Sequence, residues 1–199
     1  MNVVVIKYNA GNTKSVINAL ERIGVQPILT DKPELIASAD RVIFPGVGHA
    51  KPAMEYLKSK GLDLIIRTLK QPTLGICLGM QLMFKKSEEG NVDGMGIFDG
   101  EVIRFPSEPG LKIPHMGWTE TQLSDNPLFA GLNPQEFYYH VHSYFIPSSE
   151  NAIAKSKHGT TEFVTAVEKN NFYAVQFHPE KSGKAGSRII ENFINLPWK

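Results

Sequence analysis

The single cysteine, Cys77, stands in Gly75-Ile76-Cys77-Leu78-Gly79, between the apolar run Thr73-Leu74-Gly75-Ile76 and an amphipathic stretch that opens at Leu78. Gly-x-nucleophile-x-Gly between a strand and a helix is the form of a nucleophile elbow. A side chain on so sharp a turn needs small neighbours two residues to either side, because the turn brings their backbones together. The helix start adds unpaired N–H groups and the positive end of the macrodipole, which favour a thiolate and an anion built on a substrate. A free cysteine is most often a small buried hydrophobe. A core cysteine, however, would need neither glycine nor the turn.

A thiol nucleophile needs a base, normally a histidine oriented by a third group. Six histidines compete for that role, and His178 stands out. It follows the apolar strand Tyr173-Ala174-Val175-Gln176-Phe177 and continues as Pro179-Glu180. In extended backbone residues i and i+2 share a side, so Glu180 can reach the imidazole edge that faces away from the thiol. Standing alone, such a tripeptide would read as a surface turn. His140 and His142 also sit at i and i+2, the spacing of a metal pair, but no Asp, Glu or Cys lies close by in sequence. The expectation is a strand lining a polar pocket, with His142 behind the reacting groups and no metal or cofactor. His49, His115 and His158 carry no motif.

Pro45-Gly46-Val47-Gly48 follows the strand Arg41-Val42-Ile43-Phe44. In a parallel sheet it reaches the same carboxyl-end edge as the elbow, where open α/β sheets bind ligands. Its glycines let backbone N–H groups turn toward a substrate oxygen, so Val47 N–H and Leu78 N–H are the candidate oxyanion donors. Gln81 lies one helical turn beyond Cys77, where its amide could bind an amino-acid head group.

These groups need a scaffold, and the first half of the chain supplies one. Short apolar runs at 3–6, 26–29, 41–44 and 73–76 alternate with helical patterns, among them Val16, Ile17, Leu20 and Ile23 before Gly24, and 51–69 broken near Gly61. That is the pattern of β/α units around a parallel sheet. After residue 95 the pattern becomes alternating and turn-punctuated, with strands expected at 97–105, 115–123, 138–145, 152–156, 162–168 and 172–177. A helix over 187–196 closes the chain. The fold expected is α/β: one domain, 1–199, with a mixed, mainly parallel sheet flanked by helices and an antiparallel C-terminal part.

With 199 residues, Lys+Arg 21 against Asp+Glu 20 and a net charge of +1, the chain lacks the basic footprint of a nucleic-acid or membrane-surface binder. The N-terminus has no positive n-region ahead of its apolar run, and a lone thiol suits a reducing compartment, so a cytoplasmic protein is expected.

Pro45-Gly46-Val47-Gly48, Gly75-Ile76-Cys77-Leu78-Gly79-Met80-Gln81 and His178-Pro179-Glu180, in that order, resemble the class I, triad-type glutamine amidotransferases, whose fold is flavodoxin-like. Residues 8–12, His115-Met116-Gly117-Trp118, Val141-His142-Ser143-Tyr144 and Glu180-Lys181-Ser182-Gly183 are similar to the glutaminase subunits of imidazole glycerol phosphate synthases of histidine biosynthesis. The resemblance implies that Cys77 attacks the side-chain amide of L-glutamine, that His178 protonates departing ammonia and that Glu180 orients His178. Gly48, Gln81, Ser143 and Tyr144 would then hold the substrate. It further implies a heterodimer with a β/α-barrel cyclase subunit that receives the ammonia and makes imidazole glycerol phosphate. Ala10, Gly11, Asn12, Tyr139 and Lys181 would face that partner. His49 and His140 depart from the family's usual wording, His140 standing where an aromatic is expected. Glutaminases of the vitamin B6 and anthranilate pathways are the nearest alternatives. A cysteine peptidase or redox protein of similar fold would generally lack the late His-Pro-Glu.

Overall fold

Alternate residues of a strand point to opposite faces, so a strand covered on both sides must be apolar at every position. The first half of the chain is written that way. A computed structural model describes residues 1–9 and 13–198. Here β1 (Val3–Ile6), α1 (Thr13–Arg22), β2 (Ile28–Thr30), α2 (Pro33–Ala37), β3 (Arg41–Phe44), α3 (Ala50–Ser59), α4 (Leu62–Thr68), β4 (Thr73–Ile76) and α5 (Leu78–Met83) follow one another. The second half comprises β5 (Phe84–Ser87), β6 (Val92–Asp93), β7 (Phe98–Arg104), β8 (His115–Leu123), β9 (Gln135–His142), β10 (Tyr144–Phe145), β11 (Ala152–His158), β12 (Thr161–Lys169), β13 (Phe172–Val175) and α6 (Gly183–Asn195).

Among the described residues the main sheet has nine strands in the order β2-β1-β3-β4-β13-β12-β11-β8-β9. Pairing is parallel from β2 through β13 and antiparallel from β13 to β9. Val4, Ile6, Val42 and Phe44 face one core with Met54, Leu57, Leu62 and Ile66 of α3 and α4. Val3, Val5, Ile43, Leu74, Ile76 and Val175 face the other, under Val16 and Leu20 of α1 and Ile189, Ile190 and Phe193 of α6. Gly24 and Gly61 adopt positive φ of 80° and 65° at the breaks read from the sequence.

The mixed sheet is as expected, but it does not take in every strand. β7 leaves it to pair in parallel with β5, and with β6 and β10 they form a separate four-stranded sheet. The run 138–145, read as one strand, is broken at Ser143: β9 ends at His142, and β10 crosses to the second sheet. That break carries the wall of the site described next. Among the described residues no helix is long and apolar enough to cross a membrane.

Candidate active site

β4 runs between β3 and β13, so the segments that follow these three strands meet at one edge of the sheet. Those segments are the elbow, Pro45-Gly46-Val47-Gly48 and Gln176-Phe177-His178. Cys77 adopts φ 53° and ψ −108°, a positive φ in a non-glycine residue, at the N-terminal end of α5. Its amide bonds the Val175 carbonyl at 2.8 Å and so ties the turn to β13. A Cβ at Gly79 would collide with the Phe44 carbonyl, and one at Gly75 with Met83 Sδ and the Met80 amide. Both glycines are therefore required by close approach, the reason the elbow pattern gave for them.

His178 and Glu180 are both buried, with His178 Nδ1 2.8 Å from Glu180 Oε1. The backbone fixes this geometry. The His178 amide donates to the Tyr139 carbonyl at 2.9 Å, and Ser182 Oγ donates to the His178 carbonyl at 2.6 Å. His178 Nε2 makes no conventional hydrogen bond among the described residues, which leaves it available to the sulfur. Burial works against the imidazolium, but the Cys77 sulfur and then Glu180 outweigh it and raise the His178 pKa to about 10. The sulfur and the carboxylate thus both favour the protonated imidazole over the neutral one.

Cys77 opens onto a cavity of about 230 Å³ lined by Val47, Gly48, Leu78, Gln81, Ser143 and Tyr144, with Glu89, Pro114, Val141 and His142 completing it. Every substrate-binding candidate read from the sequence reaches this one space. Gln81 and the oxyanion candidate Leu78 differ in detail from expectation. The Gln81 amide nitrogen is already committed, donating to the Tyr144 carbonyl at 3.0 Å and to Gln176 Oε1 at 2.9 Å. Its N–H groups therefore brace the wall, and Oε1 is the atom left for a substrate donor. Leu78 N–H, one expected oxyanion donor, points instead at the Gly46 carbonyl 3.2 Å away. The Gly46–Val47 peptide thus turns its oxygen toward this N–H, which is committed to it in this conformation.

Gln176 and Glu89 were missed in the sequence. Gln176 Nε2 lies 3.6 Å from Cys77 Sγ, linking sulfur and Gln81. Its one local signal was the i, i+2 relation to His178. Glu89 brings a carboxylate to the cavity, and its Oε2 accepts the Ala50 amide at 2.8 Å at the start of α3. No string marks it. His49 caps α3 by accepting the Lys51 amide at 3.3 Å. Tyr139 and Lys181 come together, with Lys181 Nζ 5.9 Å above the Tyr139 ring. Ala10, Gly11 and Asn12 lie outside the described residues. Behind the cavity wall, His115, His140 and His142 bring ring nitrogens within 4.8 Å of one another. Burial holds His142 down to about 3 and His115 to about 4.

The chain belongs to the class I glutamine amidotransferase family: the family model "Glutamine amidotransferase class-I" matches residues 4–196. A solved structure described as a glutamine amidotransferase superposes with a TM-score of 0.75 at 17% identity over 97% of each chain, a likeness of fold. The nearer similarity is to subunits named "Imidazole glycerol phosphate synthase subunit HisH". That of Bacteroides fragilis (strain YCH46) is 54% identical over 197 residues, 98% of this chain and 100% of the relative. That of Thermosynechococcus vestitus is 45% identical over 201 residues, covering 98% of this chain and 96% of the relative.

Proposed function

We propose that this chain, acting as one domain over 1–199, is the glutaminase subunit of a cytoplasmic imidazole glycerol phosphate synthase. It hydrolyses L-glutamine and passes ammonia to a β/α-barrel cyclase subunit. The observation that carries the chemistry is the convergence of Cys77, on its positive-φ elbow, with the buried His178–Glu180 pair at 2.8 Å.

The thiolate of Cys77 attacks the side-chain amide carbon of glutamine. The C–N bond then breaks as His178 gives its proton to the departing nitrogen, releasing ammonia and leaving a glutamyl thioester. Water attacks that thioester, His178 takes a proton from the water, glutamate leaves and the sulfur is restored. Glu180 keeps the imidazole in the tautomer and orientation that both steps need. In the cavity Glu89 and Gln81 Oε1 offer acceptors to the substrate ammonium, and backbone groups of Gly48, Ser143 and Tyr144 are suited to its carboxylate.

Each tetrahedral intermediate carries an oxyanion, and turning the Gly46–Val47 peptide over would supply its site. The rotation withdraws the Gly46 oxygen, frees Leu78 N–H and brings in Val47 N–H, and Gly46 offers no side-chain barrier to it. Activity then depends on whatever drives the rotation, which we assign to the cyclase subunit and its nucleotide. Met116, Trp118 and Phe137 are 62%, 56% and 54% exposed on one face of β8 and β9, beside Tyr139 and Lys181. An apolar face with a cation at its edge suits a permanent protein partner.

An electrophilic glutamine analogue tests the nucleophile directly. One analogue should add to Cys77 per chain by mass spectrometry and none to Cys77→Ala. Failure of the wild-type chain to react, with or without the cyclase, would return the fold to a peptidase, redox or interaction role.

A further inference from the structure

His140 and His142 alternate along β9 and project to the same side of the sheet, and the register sets His115 of β8 opposite His142. All three are more than nine-tenths buried. His142 Nε2 lies 3.3 Å from His115 Nδ1 and 3.2 Å from His140 Nδ1. The other nitrogen of His142, Nδ1, is 2.8 Å from the Tyr144 carbonyl, which can only accept. The hydrogen of neutral His142 therefore sits on Nδ1, and Nε2 is a single in-plane lone pair.

One lone pair serves one N–H, yet two imidazole nitrogens crowd this one. Hydrogen bonding satisfies at most one of the two contacts. The other is then either lone pair against lone pair or an N–H without an acceptor. His140 cannot recover the loss elsewhere, because its Nε2 is buried and finds no partner among the described residues. A cation shared by three lone pairs removes the crowding at His142 Nε2 and leaves the His140 Nε2 hydrogen as the one group without a partner. Tetrahedral coordination at Zn–N distances of about 2.0–2.1 Å spaces ligand nitrogens about 3.3–3.4 Å apart, which matches the 3.3 and 3.2 Å between His142 Nε2 and the other two nitrogens, with the third pair within 4.8 Å.

We propose that His115 Nδ1, His140 Nδ1 and His142 Nε2 form a buried three-histidine site for a divalent transition-metal ion of the zinc type, with a fourth place for water. Three imidazoles and no carboxylate suit zinc or cobalt and not magnesium or calcium. Two of the rings are held from behind, as ligand histidines are: His142 by the Tyr144 carbonyl at 2.8 Å and His115 Nε2 by Thr119 Oγ1 at 2.7 Å. His142 and Pro114 also line the Cys77 cavity, which gives an ion a way in.

Full-length chain stripped with a chelator and titrated with Co²⁺ should bind one ion, show the visible absorption of a tetrahedral site and lose it to Zn²⁺. Cys77→Ala should leave that binding in place, since the thiol is no ligand. His140→Phe and His115→Gln should each weaken it at least about a hundredfold, beyond what loss of an outer partner causes. Absence of stoichiometric binding overturns the site. So does binding that Cys77→Ala abolishes and His140→Phe leaves intact, since the ion would then sit at the thiol. If both histidine variants fail to fold, nitrogen-15 spectra of the wild-type imidazoles decide. Shifts at the three named nitrogens on adding Zn²⁺ support the site, and unmoved resonances overturn it.

Discussion

Cys77 holds its conformation because two glycines give it room, and the Cys77 sulfur favours the protonated form of the His178 ring beside it. The second dependence can be measured. With the sulfur gone, burial of His178 is opposed by Glu180 alone, so in Cys77→Ala the imidazole should titrate at lower pH than in the wild type. Proton NMR of the His178 ring reads this, and an unchanged midpoint would mean that the sulfur is not the cause. Glu180→Gln keeps the size of the side chain and removes the charge that orients and stabilises the imidazolium. The expected loss in glutaminase kcat is about 10²–10⁴-fold with little change in KM, and a change confined to KM would contradict the role. Cys77, His178 and Glu180 were legible because each sits in a short string whose local geometry explains its residue types. Gln176 meets Cys77 across 99 positions of sequence, and His115 meets His142 through strand register. Neither relation leaves a local mark.

The strands β1, β3 and β4 were readable because burial on both faces demands nearly unbroken apolar runs, and the helices because Gly24 and Gly61 end them in left-handed turns. The second sheet was not readable. The parallel pairing of β5 with β7 is decided by where α5 delivers the chain, and β5 is exposed at Lys85 and Lys86, so it lacks an apolar run. Arg41 shows an element secured in a way no periodicity reveals. Buried in β3, its Nε donates to the Ile194 carbonyl at 3.1 Å and its Nη2 to the Leu196 carbonyl, capping the end of α6. Charged hydrogen bonds of this kind contribute about 1.5–3 kcal/mol each, and the freed carbonyls would be left without partners. Arg41→Met should therefore lower unfolding stability by about 2–4 kcal/mol in a denaturant titration. A change under about 0.5 kcal/mol, the range of ordinary surface substitutions, would show that the cap is dispensable.

At the scale of the whole molecule, the proposed function has Cys77, His178 and Glu180 together while the Gly46 carbonyl occupies Leu78 N–H. The exposed apolar face of β8 and β9 lies beside the loop that carries His178. On the proposed function, a partner seated there would reach His178 through Tyr139, whose carbonyl holds the His178 amide and whose ring lies under Lys181. The chain alone should thus be a slow glutaminase that its partner accelerates. The most direct measurement is ammonia release from glutamine by the purified chain, alone and with the cyclase subunit and its nucleotide, with Cys77→Ala alongside. Slow release that the partner and nucleotide raise by about 10²-fold or more, and that Cys77→Ala abolishes in every condition, is the predicted result. Full-rate release by the isolated chain would contradict the closed oxyanion site, and release that survives in Cys77→Ala would contradict the nucleophile.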